Sequence, residues 1–349
     1  MNLFINYGLF LAKVITFFIV GAIIIIFSFK ISKRKKNSRS HLKITLLENN
    51  YKDIQQQILL STMNDIERKT WLKQAKKHNK KITKNIRQEI SNNKEVYFKK
   101  KKKILYVIDF NGGVYANEVI GLRKEISAIL SVARPKDEVL LRLESSGGVV
   151  HGYGLAAAQL NRLRQRGIRL TICIDKVAAS GGYMMASVAD YIISAPFAII
   201  GSIGVVAQIP NFNKLLKKCF IDIELHTAGD YKRTLTVLGN NTDATRKKFC
   251  EELNTTHELF KRFVKEMRPC LDIESVANGE HWFGTIALEK KLVDEINTSD
   301  SILISKMKEY TLLNVQYVYS KTMLERFASS IIENISKNLL KMFFYKKQL

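Results

Sequence analysis

Cysteine is scarce in this chain of 349 residues, and the little there is follows no metal or disulfide pattern. Cys173, Cys219, Cys250 and Cys270 show no C-x-x-C spacing, and the histidines do not gather near them. That excludes the common zinc sites and a disulfide framework as organising features. Acidic residues are also short, since 32 Asp and Glu against 56 Lys and Arg leave a formal net charge of +24. So large an excess first suggests nucleic acid, but its distribution removes that reading. Residues 1–103 hold +18, residues 104–300 only +1 and residues 301–349 +5, whereas a nucleic-acid groove places its charge on the folded domain. A basic flank beside an apolar run suits anionic lipid headgroups instead.

The parts of a cleaved signal peptide are missing as well. Residues 3–29 are almost wholly apolar with Lys13 as the only charge among them; no basic stretch precedes them and no A-x-A site follows before Lys30. A run of about 27 residues rising about 1.5 Å each crosses a hydrocarbon core of about 30 Å. The expectation is therefore a single retained transmembrane helix over residues 1–30. Lys33, Arg34, Lys35, Lys36 and Arg39 follow, and the positive-inside rule then favours a cytoplasmic position for the rest. Residues 31–103 are polar and lysine-rich with sparse apolar points, which predicts a basic, partly helical linker without a core of its own.

At Ile104 the character changes. Strands are predicted over 104–110, 139–143, 169–174, 191–194 and 221–225, and helices over 119–132, 153–163, 212–219 and 245–267. Such alternation argues an α/β domain with largely parallel pairing, spanning 104–298. The apolar stretch 184–207 resembles a second membrane span, but Asp190, Pro196 and its glycine and serine turns assign it to a domain core. Residues 299–349 read as a strand followed by an amphipathic basic tail, suited to a membrane surface or a neighbouring subunit.

The chemistry gathers at the run KVAASGGYM, residues 176–184, where Ser180 sits between a strand-like and a helix-like stretch. A serine there either caps the helix or uses the unpaired N–H groups nearby to attack a carbonyl. Amide hydrolysis needs a nucleophile, a base that is neutral when it takes the proton, and donors for the oxyanion. Ser180 supplies the first, and the N–H groups of Gly147 and Gly181 are candidates for the third. For the base, His151 and Lys232 both stand. A lysine can serve only where burial or neighbouring cations disfavour its charged form, and spacing does not choose between the two.

The runs VHGYGLAAAQL, KVAASGGYMMA, SAPFAIIGSIGVVAQ and AGDYKRTLT, in this order from residue 150 to 236, resemble the signal peptide peptidase A family of membrane-anchored serine proteases, peptidase family S49. The resemblance implies a ClpP/crotonase-like fold and a Ser/Lys dyad of Ser180 and Lys232, with Ser202 of G-S-I-G holding the lysine amine; His151 then loses its candidacy. It also implies no metal or cofactor, peptide or protein substrates close to the membrane, a bacterial inner-membrane location and a ring-like homo-oligomer in which adjacent subunits can share the dyad. One departure stands out: where the family usually has S-P-G-G, this chain has Ser145, Ser146, Gly147 and Gly148. Proline would stiffen that turn. The departure motivates a second reading, a membrane scaffold or binding module that keeps the fold without the chemistry. An acyl-CoA enzyme of the crotonase type ranks below both, because a recognisable acidic catalytic pair is missing.

Overall fold

The computed structural model describes residues 40–92, 102–229 and 231–319, together with Leu11, Lys13 and residues 15–17. The chain divides into two units, of which Leu42–Tyr317 is the one built around the sheet. Almost all of the expected membrane span, and the whole of the expected amphipathic tail, lie outside the described residues. Among the described residues no helix is long and apolar enough to cross a membrane.

The main sheet follows from four apolar runs. β2 (Lys103–Gly112), β3 (Glu138–Ser145), β4 (Arg169–Ile174) and β6 (Tyr191–Ser194) lie side by side and parallel. Their register places Ile108, Leu141, Ile172 and Ile192 in one row, each fully buried. Strands covered on both faces need continuous apolar runs rather than alternation, which is how 104–110 and 169–174 read. The crossovers are α3 (Val119–Val132) and α4 (Val150–Gln165), which come after α1 (Leu47–Ser61) and α2 (Asp65–Asn92) in the chain. The α3 stripe of Leu122, Ile126 and Ile129, and the α4 stripe of Tyr153, Ala157 and Leu160, pack into the same core. β10 (Tyr310–Val318) pairs with β2 in parallel and lies between it and β1 (His41–Leu46) in the strand order, while β9 (Glu295–Ile296) closes the far edge. The stretch 42–103, expected to be linker, thus contributes a strand as well as two polar helices, and β10 belongs to the main sheet.

A branch leaves this sheet at β3. Glu138–Arg142 of β3 pair with β4, but its last residue, Ser145, pairs with Ala178 of β5 (Val177–Ala179). β5 pairs with β7 (Ile199–Gly201), which pairs antiparallel with β8 (His281–Phe283). The sequence pattern joins residues 169–174 directly to the serine turn and does not show these short strands, since three residues are too few for a period to emerge. The strand expected over 221–225 does not form. Its residues alternate correctly but find no partner strand among the described residues, and all five are exposed. Residues 184–207 are core and turn, as expected: α5 (Gly181–Ala186) has every residue buried.

Downstream come α6 (Asn213–Lys218), α7 (Asp243–Met267), α8 (Ile273–Val276), α9 (Gly284–Glu289) and α10 (Ser299–Lys306). At the end of α7, buried Arg268 meets both carboxylate oxygens of Asp294 at 3.1 and 2.9 Å and donates to Lys291 O at 2.9 Å. Asp294 also accepts the Ile192 N–H at 2.7 Å, and the Tyr183 hydroxyl donates to Leu292 O at 2.9 Å. This network fastens α5 to β6 and to the 291–294 turn. A buried ion pair that loses one partner leaves an uncompensated charge, at a cost of about 3–5 kcal/mol.

One buried carboxyl makes the fold sensitive to pH. Glu125 lies in the apolar stripe of α3, 5% exposed, and accepts the Tyr317 N–H at 2.6 Å. Burial pushes its carboxyl from 4.5 up to about 7; the Tyr317 N–H opposes the rise and Asp109 adds to it. The folded chain therefore holds a proton there that the unfolded chain has lost, so this contribution is complete below about pH 4.5 and disappears as pH rises through about 7. Glu125→Gln keeps an acceptor and stays neutral. Denaturant titrations of the full chain should show the variant gaining on the wild type from about pH 5 to about pH 8, by on the order of 3 kcal/mol at the upper end.

Candidate active site

Ser180 sits where β5 becomes α5, with φ 53° and ψ −122°. This conformation costs a non-glycine residue about 1–3 kcal/mol and persists only where the surroundings over-determine it. Here they do so from both sides. The Ser180 N–H donates to Gly201 O at 2.8 Å, its carbonyl accepts the Met184 N–H at 3.0 Å, and the flanking strand is clamped by Ala178 on Ser145 and Ala179 on Gly201. Ser180 occupies the position preceding a helix, yet its hydroxyl caps nothing. The alternative role, that of a helix cap, therefore fails.

The branch at β3 delivers a glycine turn to this serine. Gly147 has φ +89°, and a Cβ on it would lie 2.8 Å from the Ser180 Cβ, the Gly181 N and the Ala179 O, so any side chain there would push into the site. The Gly147 N–H, expected to face a substrate oxygen, donates instead to Ser145 Oγ at 3.1 Å. A Cβ on Gly148 would lie 2.0 Å from Val114 O, and one on Gly181 would lie 2.5 Å from the Tyr153 ring. Among the described residues, the N–H groups of Gly148 and Gly181 donate to nothing.

Ser202 follows Gly201, whose carbonyl holds Ser180; it has φ 52° and donates its N–H to Glu280 O at 2.6 Å. The fold thus brings Ser180, Gly181, Gly147 and Ser202 together. The Lys232 side chain is exposed and its backbone N–H donates to Gly229 O at 3.2 Å; among the described residues no hydrogen bond joins it to Ser180. It rides on an arm whose base is tied by Phe212 N–H to Val237 O at 2.8 Å and by Asn211 Nδ2 to Thr236 O at 3.0 Å. Beyond that base, none of the described residues of 214–235 is buried, and Phe220 is 98% exposed. His151 is exposed on the first turn of α4. Gly148, Ser145 and Tyr153 carry no distinguishing signal in the sequence, because an open N–H or a hydroxyl beneath a turn depends on where distant strands meet.

Residues 2–160 match the family profile described as Peptidase family S49 N-terminal, and residues 162–313 match that described as Peptidase family S49. The chain belongs to peptidase family S49. As a member of S49 it is a serine peptidase. It is 68% identical, over the whole of both chains, to a probable protease SohB of Buchnera aphidicola subsp. Acyrthosiphon pisum. A probable protease SohB of Haemophilus influenzae is 46% identical over 94% of this chain and 93% of its own. A putative signal peptide peptidase SppA of Enterococcus faecium is more distant, 27% identical over 56% and 58%. A solved membrane-bound stomatin-specific protease aligns with 59% of this chain and 85% of its own at 14% identity and a TM-score of 0.40, too loosely to inform the fold.

Proposed function

We propose that this S49 peptidase is a membrane-anchored endopeptidase of ClpP/crotonase-like fold working through a Ser/Lys dyad. The Ser180 oxygen attacks the scissile carbonyl while the neutral Lys232 amine takes its proton. The resulting ammonium returns the proton to the leaving amine as the C–N bond breaks, and water, deprotonated by the same amine, then cleaves the acyl-enzyme. Gly148 and Gly181 donate their N–H groups to the oxyanion, Gly147 supplies the bend that brings them there, and Ser202 holds the lysine amine.

The observation that carries this reading is the strained Ser180 backbone, packed against a glycine turn, with a hydroxyl and a following Gly148 N–H that make no hydrogen bond among the described residues. The dyad is completed by a second copy of the chain. Lys232 lies on an arm whose exposed apolar residues, among them Phe220, Ile221, Ile223 and Leu225, form a surface that water does not favour and a neighbouring subunit would cover. The apolar run 3–29 and the basic stretch after it support an inner-membrane anchor in contact with anionic lipid, and hence substrates that are membrane-proximal or resemble signal peptides.

The unjoined Lys232 and Ser146 in place of proline favour one second reading, a scaffold of the same fold with weakened chemistry. A fluorophosphonate probe separates the two. The full-length protein, assembled in detergent, should be labelled at Ser180. A correctly assembled oligomer that takes no label there would establish the scaffold instead.

A further inference from the structure

Beneath the serine turn lies a short chain of buried hydroxyls. The Gly147 N–H donates to Ser145 Oγ at 3.1 Å, Ser145 Oγ meets Tyr153 Oη at 2.5 Å, and the Tyr153 hydroxyl donates to Gly113 O at 2.8 Å. A carbonyl can only accept, so the single phenolic proton goes to Gly113. The Ser145 proton then goes to Tyr153, which leaves a Ser145 lone pair for the Gly147 N–H. Gly112 O, 3.2 Å from Ser145 Oγ, is the longer of the two acceptors open to that hydroxyl. Each donor in such a chain polarises the next. Ser145 is 2% exposed and Tyr153 fully buried. Burial also holds the phenol above its ordinary pKa, the Ser145 contact opposing and Glu118 adding to the rise, so the proton stays in place at neutral pH.

The same tyrosine supports the other side of the site. Its ring lies directly under Gly181, where a Cβ would come within 2.5 Å of Cγ and 2.8 Å of Cδ2. One side chain therefore braces both glycine peptides: the ring sets the height of Gly181, and the hydroxyl, through Ser145, turns the Gly147 N–H inward so that the next N–H, that of Gly148, is left open beside Ser180.

We propose that Tyr153, acting through Ser145, is the positioning residue of the oxyanion site, orienting the Gly148 and Gly181 N–H groups for the transition state. The proposal rests on the reading of Ser180 as nucleophile and of these two N–H groups as its oxyanion donors. Its physical basis is that a donor contributes to the rate only where the developing oxyanion will stand, and loss of one such donor costs about 10²–10³ in kcat. A bond that only orients donors should matter less.

The test uses the full-length enzyme in detergent, a fluorogenic peptide amide, and a peptide aldehyde of the same sequence, which forms a tetrahedral adduct with the serine. Tyr153→Phe keeps the ring and removes only the hydroxyl. It should lower kcat about 10- to 100-fold with KM within about twofold, and weaken aldehyde inhibition by the same factor. Ser145→Ala should match it. The double variant should be no worse than either single one, because both break one chain. Thermal unfolding midpoints, measured on each variant, should not track the kcat losses.

Unchanged kcat in Tyr153→Phe would overturn the proposal. So would a fall in kcat that is accompanied by an equal change in KM and by lowered stability, or losses that multiply in the double variant. Ser180→Ala is measured alongside. If it retains hydrolysis, the nucleophile reading fails and the proposal with it. If it is inactive while Tyr153→Phe is fully active, only the positioning role fails.

Discussion

Ser180→Ala should reduce peptide hydrolysis by the assembled, full-length protein about 10⁴-fold or more, with no change in oligomeric state and little change in thermal unfolding. Removal of a nucleophile leaves only the rate that binding and the oxyanion donors can give, so losses of this size are general among serine peptidases. Stability should survive because, among the described residues, the Ser180 hydroxyl makes no hydrogen bond: the residue is held by its backbone, through Gly201 O and Met184 N–H. Alanine at φ 53° carries much the same strain as serine. The measurement is initial-rate hydrolysis of a fluorogenic peptide with the unfolding midpoint recorded on the same sample. Hydrolysis within tenfold of wild type would remove Ser180 from the mechanism.

The second large effect is expected at Lys232, where Lys232→Ala and Lys232→Arg should both lose nearly all activity. Arginine keeps the charge but cannot give up a proton to act as a base. A solvated lysine is protonated at neutral pH and cannot act as a base either, so a working dyad requires that the arm be buried on something. If that something is a neighbouring subunit, mixing inactive Ser180→Ala with inactive Lys232→Ala protein before assembly should restore activity. Random mixing places an intact serine beside an intact lysine in roughly a quarter of the sites of a ring. No recovery from mixed oligomers of verified composition would place both residues in one chain. Retained hydrolysis by purified Lys232→Ala would end the dyad assignment.

These two residues also differ in how far local sequence can specify them. The junction of 169–174 with KVAASGGYM is legible because β-branched runs, small residues and glycines each report local backbone preference. Local rules leave Ser180 as either cap or nucleophile, since both uses need the same position before a helix. Only φ, ψ and the idle hydroxyl separate them. Gly147 is legible as a turn, but not the direction of its N–H, which depends on Ser145 and on a tyrosine eight residues beyond that serine. The strand expected at 221–225 is absent because alternation records which faces a strand would have, not whether a partner strand exists.

Sequence alone determined the α/β alternation, the parallel core strands, the apolar and basic N-terminal third and the identity of Ser180 as the residue most worth testing. The first three are consequences of composition and period, which act over a few residues and leave their record there, whereas Ser180 stands out through the motif around it and the family that motif resembles. Tertiary structure decided the rest: the branching of the sheet at the end of β3, the glycine bend pressed against Ser180 and the hydroxyl chain beneath it. The sheet branch joins segments far apart in the chain through backbone groups common to every residue, and the hydroxyl chain ends on Gly113 O, forty residues before Tyr153, so local residue types do not announce either.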